Sequence, residues 1–162
     1  MNITHERYED YKMAVPTMDE INAEWAKDAE DFKNNSDVIR HSQEQYALHQ
    51  KYHNWYNQLR LKLIRSEAEL EKLKKEKIEY FSGEMDLATI KEKGWPLKPK
   101  LYAKSEIPKM VMTEDDIIIL VQNIGYYKTT IDFVSNIIGM ITFRHMAIKN
   151  ILDYEKFVSG NI

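Results

Sequence analysis

Cysteine is absent from this 162-residue sequence, and glycine and proline are scarce, at five and four residues. Without cysteine the chain has no disulfide scaffold, thiol nucleophile, cysteine-ligated zinc or iron–sulfur cluster, and it fits a reducing compartment. So few glycines and prolines argue against an all-β fold, which needs many tight turns. No two glycines have the spacing of a P-loop or a dinucleotide-binding loop. Self-contained hydrolysis of a nucleoside triphosphate is therefore not expected.

Signals for export or membrane insertion are also missing. The N-terminus has no basic start followed by an apolar run, so no signal peptide is predicted. The longest apolar stretch, residues 117–143, is interrupted by Asn123, Lys128, Asp132 and Asn136. It is therefore not expected to span a membrane.

Charge is distributed unevenly, although the whole chain carries a net charge of only -3. Residues 1–40 carry a net charge of -5, residues 41–80 and 81–112 carry +2 each, and residues 113–162 carry -2. A basic middle beside an acidic N-terminal quarter indicates a surface for a polyanion or another partner. The alternative is that these charges only solvate exposed helix faces.

Helical signals predict an all-α fold with one domain, residues 18–162, preceded by a polar arm, residues 1–17. Residues 18–37 form an acidic segment in which a short helix is expected from Met18 to Phe32. Thr17 and Glu20 have the spacing of a capping box at its start.

A long helix is predicted over residues 38–81, which contain neither glycine nor proline and carry apolar residues at helical spacing. Ser82 and Gly83 supply its end. Residues 82–112 have the pattern of a loop-rich basic connector, with a short helical turn capped by Ser105.

The last segment, residues 113–162, is expected to start at Thr113 with Asp116 and to form the oligomerisation helices. Its apolar positions alternate in steps of three and four over five heptads. Apolar residues beside this seam widen it and favour a helical bundle or a higher oligomer. Gly125 and Gly139 either permit close helix approach or mark a break. The residues predicted to hold copies together are Ile131, Val134, Ile138, Ile141, Ile148 and Leu152.

Catalytic and metal-binding patterns are weak throughout the sequence. His49 and His53 lie four residues apart, but no third ligand is nearby, so neither a metal nor any other cofactor is predicted. His145 lies on the apolar seam and is interpreted as an interface histidine. No pair of carboxylates has a pattern that identifies an acid and a base. An enzyme is therefore the least favoured class.

The basic middle offers what single-stranded nucleic acid requires, namely cations that follow phosphates and aromatic rings on which bases stack. Trp95 and Tyr102 are candidates for stacking, or else they pack the connector against the helices. Neighbouring glutamates pair with some of the lysines of the long helix. The candidate cations are Lys72, Lys74, Lys75, Lys77, Lys98, Lys100 and Lys104.

Residues 52–57, 75–83 and 102–106 form three motifs that occur in the same order as motifs of a known family, and together they resemble the UvsY family of recombination mediators from T4-like bacteriophages. Residues 75–83, Lys-Glu-Lys-Ile-Glu-Tyr-Phe-Ser-Gly, resemble the basic, aromatic and Ser-Gly motif of the family. Residues 52–57 are similar to its Tyr-x-x-Trp-x-Asn, and residues 102–106 to its Tyr-x-Lys-Ser-Glu. The similarity runs from Met18 to Gly160, while the first 17 residues look like an extension.

The resemblance implies a non-enzymatic homo-oligomeric ring, a hexamer or heptamer, without a membrane role and in the cytoplasm of the infected host. Its partners would be single-stranded DNA, a UvsX-like recombinase and the phage single-strand DNA-binding protein. The basic pair that carries DNA binding in the family maps onto Lys75 and Lys77, where lysine replaces the arginine fork at the second position. The competing hypothesis is a coiled-coil structural or adaptor protein that does not bind nucleic acid.

Overall fold

The computed structural model describes residues 15–30, 35–97 and 102–160. Within these ranges the chain forms five helices and no strand, which confirms the predicted all-α class. The helices are α1 (Met18–Asp28), α2 (Asn35–Ser82), α3 (Leu87–Glu92), α4 (Ile107–Val111) and α5 (Asp115–Val158). Residues 1–14 of the predicted polar arm lie outside the described ranges.

Helix α1 begins with the capping box that the sequence predicted. The Thr17 hydroxyl accepts a hydrogen bond from the Glu20 backbone N–H, and the Glu20 carboxylate accepts one from the Thr17 N–H at 2.7 Å. Its predicted end at Phe32 is wrong, because α1 ends at Asp28. The Arg144 guanidinium donates to the carbonyl oxygens of Asp28 and Glu30, and so satisfies backbone acceptors that the helix leaves open at its end.

Helix α2 spans 48 residues. It begins three residues before the predicted start and ends one residue after the predicted end. Gly83 follows it with φ 77°, a left-handed conformation that glycine adopts without a steric cost. The backbone N–H of Glu84 donates to the Glu79 carbonyl at 3.0 Å, and the N–H of Gly83 donates to the Tyr80 carbonyl at 3.2 Å. The predicted Ser-Gly stop is confirmed.

Two predicted helix starts in the C-terminal half are wrong. Ser105 does not cap α4, which begins at Ile107 after Glu106 without a side-chain cap and has a proline in its first turn. Helix α5 begins at Asp115, and the Thr113 hydroxyl donates to the Met110 carbonyl at 2.7 Å instead of capping the helix.

Gly125 and Gly139 do not break α5, and neither marks a close approach within the described chain. The helix is continuous through both positions. A Cβ atom built on either glycine would meet no atom within 4 Å in the described structure.

The described residues divide into two compact units. The first contains those of Met1–Leu59 and Thr130–Ile162, and the second contains those of Arg60–Thr129. The core of the second unit is a cluster of buried apolar side chains surrounded by partly buried ones. Its buried members are Tyr80, Phe81, Ile90, Ile107, Val111 and Ile117.

The core of the first unit includes most of the residues that the sequence assigned to oligomer contacts. Ile131, Val134, Ile141 and Ile148 are buried inside the chain, while Ile138 and Leu152 are partly buried. The heptad seam therefore serves the intramolecular core in this unit. Any contact between copies through these four side chains would have to open that core.

An ionic and aromatic cluster joins α1 to α2 in the first unit. The Lys51 ammonium lies 2.8 Å from Asp28 and 3.0 Å from Glu24, and the Tyr52 hydroxyl donates to Asp28 at 2.8 Å. Hydrogen bonds from Lys27 and then Lys51 lower the pKa of Glu24 to about 2. Burial, followed by the bond to Asp28, raises the pKa of Tyr52. The fully buried Tyr52 is thus held neutral, with its hydroxyl partnered.

His41 is a buried histidine in the same unit, and its Nδ1 lies 3.4 Å from the Arg144 guanidinium. Burial, with the charges of Arg144 and Arg40, lowers the pKa of His41, and the opposing effects of Glu44 and Asp37 are smaller. Below about pH 6.5 the unfolded chain takes up a proton there that the folded chain excludes. This contribution to stability is therefore complete above that pH and is lost as the pH falls towards the lowered native pKa.

We expect the free energy of unfolding to decrease between about pH 7.5 and pH 5.5, and the substitution His41→Gln to flatten that decrease. Urea unfolding followed by circular dichroism at each pH measures it. His53→Gln, at an exposed histidine on the same helix, is the control and should keep the parent slope. Equal slopes in the parent and in His41→Gln would contradict the assignment.

Candidate nucleic-acid interface

The candidate interface lies in the second unit, where α2 delivers a basic run shortly before it ends. Lys75 is a largely exposed predicted contact, with 80% of its side chain accessible, and its ammonium lies 3.9 Å from Glu79. Lys72, one turn earlier, is exposed and forms no ion pair with any residue in the described ranges. An exposed ion pair at this distance is weak, so the Lys75 ammonium can leave Glu79 and bind a phosphate instead. Lys72 has no ion pair in the described ranges to give up.

Two further lysines on this surface are already paired. The Lys74 ammonium lies 2.9 Å from Glu71, and the Lys93 ammonium lies 2.8 Å from Glu76. Each of these two side chains is about a quarter exposed. A phosphate must compete with a carboxylate at both positions, so their contribution to a basic surface is smaller than the charge count indicates.

Lys77 occupies a different environment from Lys75, although only two residues separate them. Its side chain is 7% exposed, and its ammonium lies 2.8 Å from Glu114 and 2.9 Å from Asp116. The same ammonium is 4.4 Å from the centre of the Trp95 ring, within the range of a cation–π contact. Burial by itself lowers the pKa of Lys77, but the hydrogen bonds to Glu114 and Asp116 outweigh it and raise the pKa. Lys77 is therefore a charged interior residue.

Trp95 and Tyr102 both pack on the core of the second unit. The Trp95 ring meets the Tyr80 ring edge to face at 5.0 Å, and the Tyr102 ring meets Phe81 in the same way at 5.5 Å. The Tyr80 hydroxyl donates to the carbonyl of Pro96 at 2.9 Å and ties the connector to α2. Of the two interpretations that the sequence left open for Trp95 and Tyr102, these contacts favour packing.

Of the three remaining predicted lysines, the structure describes only Lys104. Lys98 and Lys100 lie outside the described residues. Lys104 is exposed, as are Lys91 and Lys109 in the same connector, and none of the three is ion-paired within the described ranges. The sequence did not single out Lys91 or Lys109 as DNA contacts.

Glu114 and Asp116 are the functional neighbours that sequence reasoning missed. They lie almost forty residues from Lys77, and no local spacing connects them to it. Together with Thr113, Asp115, Lys77 and Trp95 they line an acidic cavity of about 390 Å³.

Other chemistry is limited within the described residues. No group of three histidine, aspartate or glutamate side chains there is arranged to hold a metal ion. None of the helices described is long and apolar enough to cross a membrane.

Removing the Lys77 charge should destabilise the chain, because it leaves two carboxylates facing each other beside Trp95. We expect Lys77→Ala to lower the free energy of unfolding by about 2 kcal/mol, since Glu114 and Asp116 are partly hydrated. Lys75→Ala should change it by less than about 0.5 kcal/mol, because that side chain is exposed. Urea unfolding of both variants measures the difference.

A triple variant separates lost charge from lost packing at the same place. Lys77→Met combined with Glu114→Gln and Asp116→Asn removes all three charges, and should recover much of the stability lost in Lys77→Ala. Equal stability of the parent and Lys77→Ala would show that the buried pairing is not formed.

Comparison with known proteins identifies the lineage of this fold. The curated "Recombination protein uvsY" of Enterobacteria phage T4 is 26% identical over 113 residues, which cover 70% of this chain and 77% of the relative. Two crystal structures of the bacteriophage T4 recombination mediator protein UvsY match with TM-scores of 0.70 and 0.68, at 23% and 24% identity. They cover 89% and 85% of this chain and 98% of theirs. At these identities the structural match establishes the shared all-helical fold.

The family model described as "Recombination, repair and ssDNA binding protein UvsY" matches residues 24–161. This match confirms the resemblance carried by the Ser-Gly and Trp-x-Asn motifs. The chain belongs to the UvsY family of recombination, repair and single-stranded-DNA-binding proteins.

Proposed function

We propose that this chain is a non-enzymatic recombination mediator that binds single-stranded DNA as a homo-oligomer in the cytoplasm of the infected host. In this role it helps load a UvsX-like recombinase onto DNA covered by the phage single-strand DNA-binding protein. The observation that carries the proposal is the exposed, weakly paired Lys75, in the segment that resembles the basic motif of the family and within the range that the family model matches.

Phosphate contacts in this proposal come from the exposed lysines of the second unit. Lys72 and Lys75 lie on adjacent turns of α2, and Lys104, exposed in the connector, is a third candidate contact. Lys98 and Lys100 remain sequence-based candidates for the same surface. Lys74 and Lys93 act as secondary contacts because each already has a carboxylate within 3 Å.

Lys77 contributes by positioning the site. Its pairs with Glu114 and Asp116 tie the start of α5 to the end of α2, and its contact with Trp95 ties the connector to the same place. A phosphate would have to displace both carboxylates to reach the ammonium. The family motif at Lys75 and Lys77 therefore combines one surface contact with one interior support.

Assembly in this proposal uses the exposed apolar side of α5 in the first unit. At about 100° per residue, Phe143, Met146, Tyr154 and Phe157 project roughly 180° away from the buried Ile141 and Ile148. All four of these side chains are more than half exposed. Asn150 lies between the Phe143–Met146 pair and the Tyr154–Phe157 pair on this side. Monomeric proteins rarely leave four such large apolar side chains on one side of a helix in water, so a second copy is their expected partner.

Multiple copies also resolve a problem of charge. A single chain has a net charge of -3 and only a few unpaired lysines on the candidate surface, which is weak for a polyanion. Repeating that surface around an oligomer converts later contacts on one DNA strand into intramolecular ones, and raises the overall affinity without any new contact.

Replacing Lys72 and Lys75 with Ala should weaken binding to a fluorescent single-stranded oligonucleotide by at least tenfold. The plot of log affinity against log salt should also flatten, because fewer counterions are released. Lys27→Ala, at an exposed lysine of α1, is the matched control. Fluorescence anisotropy across a salt series measures both quantities. Weak binding by the parent even at low salt would instead favour the coiled-coil adaptor hypothesis.

Loading is tested on the same variants. A labelled UvsX-like recombinase should assemble faster on single-stranded DNA coated with the phage single-strand DNA-binding protein when the parent or Lys27→Ala is added. The Lys72→Ala and Lys75→Ala double variant should give little acceleration. Acceleration by the double variant equal to that of the parent would refute loading through this surface.

Placing a charge on the exposed side of α5 should dissociate the assembly. Phe143→Asp is expected to lower the solution mass measured by light scattering, because the carboxylate would be desolvated at each contact between copies. Ile119→Asp is the control, at an exposed apolar position of the same helix in the second unit. Retention of the parent mass by Phe143→Asp, with circular dichroism unchanged, would contradict assembly through this side.

A further inference from the structure

A groove between α2 and α5 in the first unit has no role in the DNA contacts or in the assembly proposed above. Ser42, Gln45, Tyr46 and His49 of α2 line it, with Ile141 and His145 among the residues of α5. Its volume is about 330 Å³. Tyr46, at 80% exposure, is the most exposed large apolar residue in the described ranges and lies at this groove. A concave apolar surface with an exposed tyrosine beside it has the anatomy of a protein-binding site.

The groove continues along α5 into a second cavity that shares Ser42 and His145. This extension, of about 280 Å³, is also lined by Lys149, Asp153 and Lys156. The stretch of α5 from Ile141 to Lys156 measures about 22 Å at 1.5 Å per residue. An extended segment of about seven residues has that length.

The buried, unpartnered amide of Gln45 is the feature that indicates a ligand. The residue is 6% exposed, and neither its amide oxygen nor its amide nitrogen has a hydrogen-bond partner in the described structure. Buried side-chain polar atoms in folded proteins are nearly always partnered, so an amide with both ends open is exceptional. One acceptor beside one donor is the complement of a backbone peptide unit. The broad terminal torsion of glutamine allows the amide to turn towards an arriving segment.

Charge at the far end of the groove indicates what that segment carries. Lys149 is exposed and forms no ion pair with any described residue, whereas Lys156 lies 3.8 Å from Asp153. Two lysines against one aspartate give this end a positive excess. A carboxylate of the ligand would therefore be attracted to Lys149.

We propose that this groove binds an extended acidic segment of a partner protein. A peptide group of the segment bonds to the Gln45 amide, an apolar side chain lies against Ile141, and carboxylates lie towards Lys149. Thr142, His145 and Lys149 lie about 40–100° around α5 from its buried side, away from the Phe143 strip. The proposal for this docking site does not depend on the proposed DNA surface.

The probe is a fluorescein-labelled eight-residue peptide of alternating Leu and Asp, added to the full chain and followed by fluorescence anisotropy. Matched peptides carry Asn or Lys in place of Asp. The parent should bind the Asp peptide at least tenfold more tightly than the Asn peptide, and bind the Lys peptide least. Equal affinity for the Asp and Asn peptides would overturn the acidic character of the ligand.

Two variants test the residues that carry the proposal. Lys149→Glu should weaken binding of the Asp peptide at least tenfold and improve binding of the Lys peptide, while Lys27→Glu on α1 should change neither. Gln45→Met should weaken binding of the Asp peptide at least fivefold and raise the thermal unfolding temperature, because it removes an unpartnered amide while keeping the length of the side chain.

The remaining outcomes count against the proposal. Unchanged peptide affinity in both Lys149→Glu and Gln45→Met would show that the groove is not the docking site. A lower solution mass of Lys149→Glu would assign the groove to contacts between copies of this chain. The Lys72 and Lys75 variants should bind the peptide like the parent, so failure of the docking site and failure of the proposed DNA surface give different results.

Discussion

The pairing of Lys77 with Glu114 and Asp116 is the constraint on which the second unit depends. A buried ammonium is tolerated only when its charge and its hydrogen-bonding protons are matched, and here two carboxylates and the Trp95 ring do so. This arrangement fixes the start of α5 and the connector against the last turns of α2. The fixed end of α2 then determines which side of the basic run faces solvent.

The two lysines of one basic motif lie in different environments, one at the surface and one in the interior. Lys75 and Lys77 are two residues apart on a helix, so they project about 200° apart and cannot share one environment. One is largely exposed and the other is almost fully buried. A count of positive residues therefore overstates the surface available to phosphate, and this strengthens the case for repeating a small surface in several copies.

Local patterns predicted the fold well, because helices are stabilised by interactions between residues three and four apart. The capping box at Thr17 and the stop at Gly83 are both local signals, and both are confirmed. The end of α1 was not predictable in this way, since Arg144 reaches its carbonyl groups from more than a hundred residues away. Lys77 is the same case in the candidate site, because its partners are distant in sequence and the motif itself gives only its charge.

Helix α5 shows why a heptad pattern alone does not identify an interface between copies. Its seam residues Ile141 and Ile148 are buried by the chain itself, while the opposite side carries exposed Phe143 and Phe157. A third side faces the groove that runs from Ile141 to Lys156. A second apolar side that the chain does not cover is a candidate surface for a partner. The seam therefore defines the core of the first unit, and the proposed contacts between copies use residues that this core leaves in water, such as Phe143 and Phe157.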